Sequence, residues 1–192
     1  MPSIDLYDSL IYFTLMKKDD YINNLLAAAA TTIATQIEDQ IGDLGLPSTN
    51  AATALVTIRN HPDDSIDALR RVLSLTHSGA VRLIDSLEQD GLVERRRSDT
   101  DGRAVVLRLT ANGQDSAEVI IGARERATRA IVKRLSKQQI AGLKPVLETI
   151  LAVTTKDEES ARRNCRLCDE SACRPLGCPV EISAQEHRAK GP

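Results

Sequence analysis

The residues best equipped for chemistry are crowded near the C-terminus. All four cysteines fall within fourteen positions, as Cys165-x2-Cys168-x4-Cys173-x4-Cys178. An isolated cysteine in a reducing compartment is usually a small buried hydrophobe, and disulfides are disfavoured there. Four so close together, with Pro175, Gly177 and Pro179 supplying turns, form a set of soft thiolate ligands. Such a set suits Zn²⁺ or an iron–sulfur cluster.

Zinc is the expected occupant. The two, four and four intervening residues match the spacing of a zinc knuckle, with Cys173 in the place of the knuckle's histidine. Zinc held by four thiolates carries a net −2, which Arg162, Arg163, Arg166 and Arg174 offset. Iron–sulfur is the alternative, because Cys178-Pro179 is similar to the ending of ferredoxin runs, although the other spacings differ. A metal-free thiol switch and an unliganded tail are the remaining readings. His187 is read as a surface residue, since four thiolates already complete a tetrahedron.

A second concentration lies between residues 95 and 108, where Arg95, Arg96, Arg97, Arg103 and Arg108 stand against Asp99 and Asp101. Arginine suits bidentate contacts to phosphate and guanine. The chain as a whole has 192 residues and a net charge of −2, so the basic character is local. With 42% hydrophobic and 27% charged residues it can bury a core, and general disorder is excluded. Aromatic residues make up 2%, too few for a single-strand stacking platform. No apolar run is long enough for a membrane span, and Met1 to Asp5 do not open a signal peptide. The expected location is the cytoplasm.

The elements that must carry these groups follow from periodicity. Residues 1–19 form a lead-in, with Leu6, Leu10, Ile11 and Phe13 on one side of a short helix. A helix from Lys18 repeats Ile22, Leu25, Leu26, Ala29, Ala30, Ile33, Ile37 and Ile41, and Gly42, Gly45 and Pro47 end it. Ser48 caps a helix with Ala51, Leu55 and Ile58 inward, stopped by Pro62. Asp64 or Ser65 starts a short helix with Ile66, Leu69 and Val72 inward. Thr76 caps the next, from about His77 to Asp90, closed by Gly91. That helix buries Ala80, Leu83, Ile84 and Leu87 and presents His77, Ser78, Val81, Arg82 and Asp85. Residues 92–96 and 104–109 then read as strands around a polar hairpin loop. Thr110 caps a long helix to about Leu135, and Ser136 with Gln139 forms a capping box for the last, which contains Pro145.

Helix, turn, helix and a basic hairpin make a mostly α, winged helix-turn-helix reader. Its second helix fits the major groove, and the two-stranded wing can reach a neighbouring groove or backbone. The stretch from Ile66 to Gly113 resembles the MarR (multiple antibiotic resistance regulator) family of bacterial transcription factors. Three parts carry the resemblance in order: Leu87-Glu88-Gln89-Asp90-Gly91-Leu92-Val93, the wing Asp101-Gly102-Arg103, and Leu109-Thr110-Ala111-Asn112-Gly113. It covers roughly residues 20–155, with a DNA-binding lobe at about 48–113 and a cysteine tail from 156 to 192. Gly79 and Gly102 depart from the usual pattern without removing a defining group.

The resemblance implies flanking N- and C-terminal helices that interlock two subunits into a homodimer. It implies a base-reading face at His77, Ser78, Val81 and Arg82. Arg103 resembles the wing-tip arginine that enters the minor groove, with Asp101 orienting it. Arg95, Arg96 and Arg97 are phosphate candidates, of which strand alternation turns only some toward DNA. The expected function is therefore a homodimeric double-stranded DNA-binding transcriptional regulator, a repressor by sign. It would answer to a small-molecule effector or to the metal or redox state of its cysteines. The rivals are weaker on their residues. An RNA-binding knuckle needs aromatics on the metal loop, and residues 165–178 contain none. A Cys165/Cys168 oxidoreductase needs a strand–helix–strand setting that is missing. No nucleophile, base and orienting partner assemble, so the chain is read as non-enzymatic.

Overall fold

The computed structural model describes residues 6–46 and 48–190, with side chains for residues 20–46 and 48–189. The N-terminal region is one continuous helix, α1 (Leu6–Gly42), where a lead-in and a separate helix were expected. The expected apolar side of Leu6, Leu10, Ile11 and Phe13 lies outside the described side chains. Along α1, Ile33 and Ile37 are half-buried and Ile41 is buried, whereas residues 20–32 are all exposed. The helix is thus anchored at its C-terminal end, and its earlier turns stand away from the lobe.

Helix α2 (Thr49–Asn60) is capped by the Ser48 hydroxyl, which accepts from the Ala51 amide. It is the hub of the fold. Every residue from Ala51 to Ile58 is buried, Thr53 and Thr57 included. Small side chains on all sides let α1, α3, α5 and the wing pack around it.

Ser65, not Asp64, caps α3 (Ile66–Leu73), by accepting from the Ala68 amide. Ser74 then adopts a left-handed conformation (φ 55°), and the Leu75 amide bonds back to the Arg70 carbonyl. This tight turn delivers Thr76 as the cap of α4 (His77–Gln89). Helix α4 ends at Gly91 (φ 68°), a conformation costly for any residue with a Cβ. Its stop places Val93 at the start of β1 (Val93–Arg97), paired antiparallel with β2 (Val105–Leu109).

The Leu109-to-Gly113 motif has a specific packing role. The Thr110 hydroxyl donates to the Gly91 carbonyl and accepts from the Gly113 amide. A Cβ on Gly113 would collide with the carbonyl oxygen of Leu92. Helix α5 (Ala111–Val132) therefore starts pressed against the turn that ends α4.

Helix α6 (Lys137–Val153) begins with the expected Ser136–Gln139 capping box and runs through Pro145, yet none of its residues is buried. The tail, expected only as a polar run and a turn-rich loop, is helical. It forms α7 (Glu158–Asn164), α8 (Glu170–Cys173), a 3-10 turn at Arg174–Leu176, and α9 (Pro179–Lys190). Helix α7 packs on α3, and α9 packs on α6 and α7. Ala161, Val180 and Ala184 make a small second core that also holds Cys165 and Cys178.

Candidate nucleic-acid interface and cysteine pocket

Helix α4 presents its polar face as the spacing required. Ala80, Ile84 and Leu87 are buried, Leu83 packs on the core, and His77, Ser78 and Arg82 are exposed, with Val81 half-buried between them. The start of this helix is also exposed, at Thr76, His77 and Ser78. Among the described residues, no carboxylate lies within ion-pair distance of Arg82.

The wing arginines divide into two groups. Arg95 is half-buried, and its guanidinium bonds to Asp85 (2.6 Å) and to Glu88, both on α4. Those carboxylates raise its pKa against the opposing effect of burial. Arg95 therefore ties the wing to α4, a use that the run of three arginines does not reveal. Arg96 pairs with Glu94 at 2.7 Å. Arg108 lies on β2 and forks onto Asp63, with bonds of 2.6 and 2.8 Å. Among the described residues, Arg97 and Arg103 remain outside every ion pair, and both are exposed.

The wing tip is ordered by its own polar groups. The Ser98 hydroxyl accepts from the amides of Thr100 and Asp101. Asp101 accepts from the backbone amide of Arg103 at 3.1 Å. It orients that residue through the main chain, and the Arg103 side chain stays available. Arg82, Arg97 and Arg103 are thus exposed cations carried on a rigid helix and a braced hairpin.

The four cysteines line one cavity of about 310 Å³, together with His61, Asp64, Arg162, Glu170 and Arg174 among others. Exposed His187 is outside it, as expected. No disulfide forms. The thiols surround the space without closing on one point: among the described residues, no three Cys, His, Asp or Glu side chains converge as a single ion requires. Cys165 and Cys168 share a hydrogen bond, which holds the Cys168 thiol down at about 6, assisted by Arg124 and opposed by burial. The same bond, together with burial, pushes Cys165 up. The nearest cationic partner is one that the tail sequence does not contain. Arg124 of α5 reaches the Cys168 sulfur at 3.7 Å. Of the arginines expected to balance a thiolate centre, Arg162 pairs with Asp64, Arg163 with Glu159 and Arg174 with Glu170.

A MarR family model matches residues 44–104, from the end of α1 through the wing. Over that stretch the chain is similar to the MarR family. The transcriptional repressor MprA of Escherichia coli strain K12 is 28% identical over 101 residues, covering 52% of this chain and 57% of MprA. The curated relatives matched are covered over roughly half to two thirds of their length, from 52% to 66%. Among solved structures, apo MarR from E. coli superposes with a TM-score of 0.56 at 22% identity, covering 67% of this chain and 96% of MarR. Streptococcus pneumoniae FabT in complex with DNA gives 0.56 at 21% identity, covering 68% and 93%. The shared architecture is a winged helix with its flanking helices. About a third of this chain lies beyond that overlap. No helix among the described residues is long and apolar enough to cross a membrane.

Proposed function

We propose that this chain, similar to the MarR family over its winged helix, is a cytoplasmic, homodimeric, sequence-specific double-stranded DNA-binding regulator that acts as a repressor. The observation that carries the reading is the co-exposure of Arg82 on α4 with Arg97 and Arg103 on the wing, all outside internal ion pairs. Helix α4 would enter the major groove, with Arg82 set for guanine and His77, Ser78 and Val81 lying along the base edges. Arg103 would enter the flanking minor groove, where narrow width favours arginine. Arg97 would contact phosphate, while Arg95 would hold the wing at its angle to α4.

The second subunit is a copy of this chain. Tyr21, Ile22, Leu25 and Leu26 on α1, and Ile140, Val146, Leu147 and Leu151 on α6, are large apolar side chains left in solvent by one protomer. Apolar helix faces left uncovered within one protomer are what a two-fold partner covers. Pairing them sets the two α4 helices against successive major grooves, about 34–36 Å apart. Zinc held by Cys165, Cys168, Cys173 and Cys178 is the proposed cofactor, with an iron–sulfur cluster the alternative. The effector is then that centre or a small molecule that prefers one of two separations of the α4 helices.

Selection of duplexes from a random library by the full chain tests the reading. A pseudo-palindromic consensus with half-sites one turn apart supports it. Failure to enrich any duplex, or preference for single-stranded RNA over DNA, overturns it.

A further inference from the structure

Helix α6 buries none of its residues, and among the described residues its principal packing partner within the protomer is α9. The chain leaves the winged-helix lobe at the end of α5, runs out along α6, and returns to the lobe where α7 packs on α3. That return is made at several points. Arg162 of α7 pairs with the Asp64 carboxylate, while the Asp64 carbonyl accepts from the Leu107 amide of β2 at 2.9 Å. A single residue of the α2–α3 loop thus joins the tail to the wing. Beside it, the Asn60 side chain donates to the Cys168 carbonyl at 2.8 Å, and His61 Nε2 meets Glu170 at 3.0 Å. Arg59 reaches Asp169 at 3.4 Å, and Leu167 packs against the main core of the lobe. On the wing side, the Asp63 amide donates to the Leu107 carbonyl at 3.1 Å.

The other side of the tail is held to α6. Asn164, the last residue of α7, donates from its side chain to the Thr155 hydroxyl at 3.1 Å. That buried hydroxyl donates in turn to the Leu151 carbonyl of α6 at 2.8 Å. Helix α9 packs on both α6 and α7, with Val180 and Ala184 set against Ala161 in the second core. Arg188 of α9 pairs with Glu158 of α7 at 2.7 Å. A lobe joined to α6 only through the α5–α6 connection could swing about that joint, since a few connecting residues can absorb a hinge motion. The tail supplies a second attachment, and two attachments make a frame.

Resting on the dimer and DNA readings given above, we propose that the tail helices are a brace that fixes the helix-turn-helix against α6 and so determines which spacing of half-sites the dimer accepts. Asn60, Asp64 and Arg162 are its positioning residues at the lobe. Val180 and Ala184 are its positioning residues at the α6 end. None of these belongs to the exposed face of α4 or to the wing tip. In a two-fold dimer α6 lies in the shared interface, so a swing of either lobe about its α5–α6 joint changes the distance between the two α4 helices. Half-site separation follows the helical repeat of DNA, and a pair of lobes that cannot swing fits one separation. The brace acts through contacts that the chain already makes with itself.

The test uses the full chain on a selected duplex and on duplexes with one base pair added or removed between the half-sites. The parent protein is expected to lose about tenfold or more in affinity on either altered duplex, the scale of one mismatched base pair. Asn60→Ala with Arg162→Gln cuts the brace at the lobe and should bring all three duplexes within about threefold, because a hinged lobe reaches each site at little cost. Ala184→Glu forces a charge into the second core, cuts the brace at α6 and should relax the spacing in the same way. Amide hydrogen exchange supplies a readout independent of DNA. The lobe variant should exchange about tenfold faster at Asp63 and Leu107, the scale of losing one supported hydrogen bond, while Ala184→Glu leaves those amides as they were. Retained protection at Ile120 and Ile121 in α5 reports that the variants remain folded. Unchanged exchange at Leu107 in the lobe variant overturns the brace. So does a parent that tolerates all three spacings, or a variant that discriminates them as sharply as the parent. A parent that binds no duplex overturns the DNA reading instead, and exchange at Leu107 then decides the brace by itself.

Discussion

Asp63 takes both hydrogen bonds of the Arg108 fork, and it does so from a left-handed backbone position between two helices. The pair joins the start of the helix-turn-helix to the second strand of the wing, 45 residues later. Arg108 holds the Asp63 carboxyl below its ordinary value of 3.8. A depressed carboxyl stabilises the fold above its unfolded value and loses that contribution as the pH falls through its folded value. The Arg108 Nε–H resonance of the folded protein should therefore shift below about pH 4. Asp63→Asn should abolish that step, and a step that persists in the variant would place the titration elsewhere.

Arg95 and Arg97 are two positions apart but have different partners. Arg95→Met should lower stability by about 1 kcal/mol, the scale for a partly exposed arginine losing two carboxylates. It should leave the salt dependence of DNA binding nearly unchanged. Arg97→Ala should do the reverse, leaving the melting curve in place while reducing the slope of log K against log salt by about one. Denaturant titration and fluorescence anisotropy on the same two variants check both halves.

Gly113 begins α5 against the Leu92 carbonyl, a backbone atom that cannot rotate away. Gly113→Ala should cost about 1–3 kcal/mol by overpacking, measured by urea unfolding. Gly102→Ala, with open space around its Cβ position, should cost little. Equal costs at the two sites would contradict the close approach.

Leu147 on α6 and Leu26 on α1 are about half exposed in one protomer, at 48% and 51%. Leu26→Glu with Leu147→Glu should turn a dimer into a monomer in sedimentation equilibrium while helical content persists. A variant that remains dimeric would move the interface to another face.

Much of this architecture was legible in the chain. The caps at Ser48, Thr76, Thr110 and Ser136 act as their types indicate, because capping is local chemistry within three residues. Alternation located both strands to within a residue. The exposed face of α4 followed from helical period alone. What periodicity could not show was pairing between distant segments. Arg95 looked like its neighbours, and its carboxylates lie on the preceding helix. The partners of the cysteine pocket, Asn60, His61 and Arg124, are 44 to 109 positions from their contacts, and no spacing rule connects them. The folded tail was missed for a related reason. Its helices are short, and they are held by α3 and α6 more than by their own apolar stripes.

DNA binding by Arg82→Ala and Arg103→Ala, measured by anisotropy on a selected duplex at several salt concentrations, tests the central claim most directly. Arg82→Ala should lose about 1–3 kcal/mol of affinity and relax the preference at one base pair, while folding and dimerisation stay intact. Arg103→Ala should weaken binding to the selected site and flatten the salt dependence. Unchanged affinity in the double variant would contradict the reading of α4 and the wing as the DNA-contacting surface.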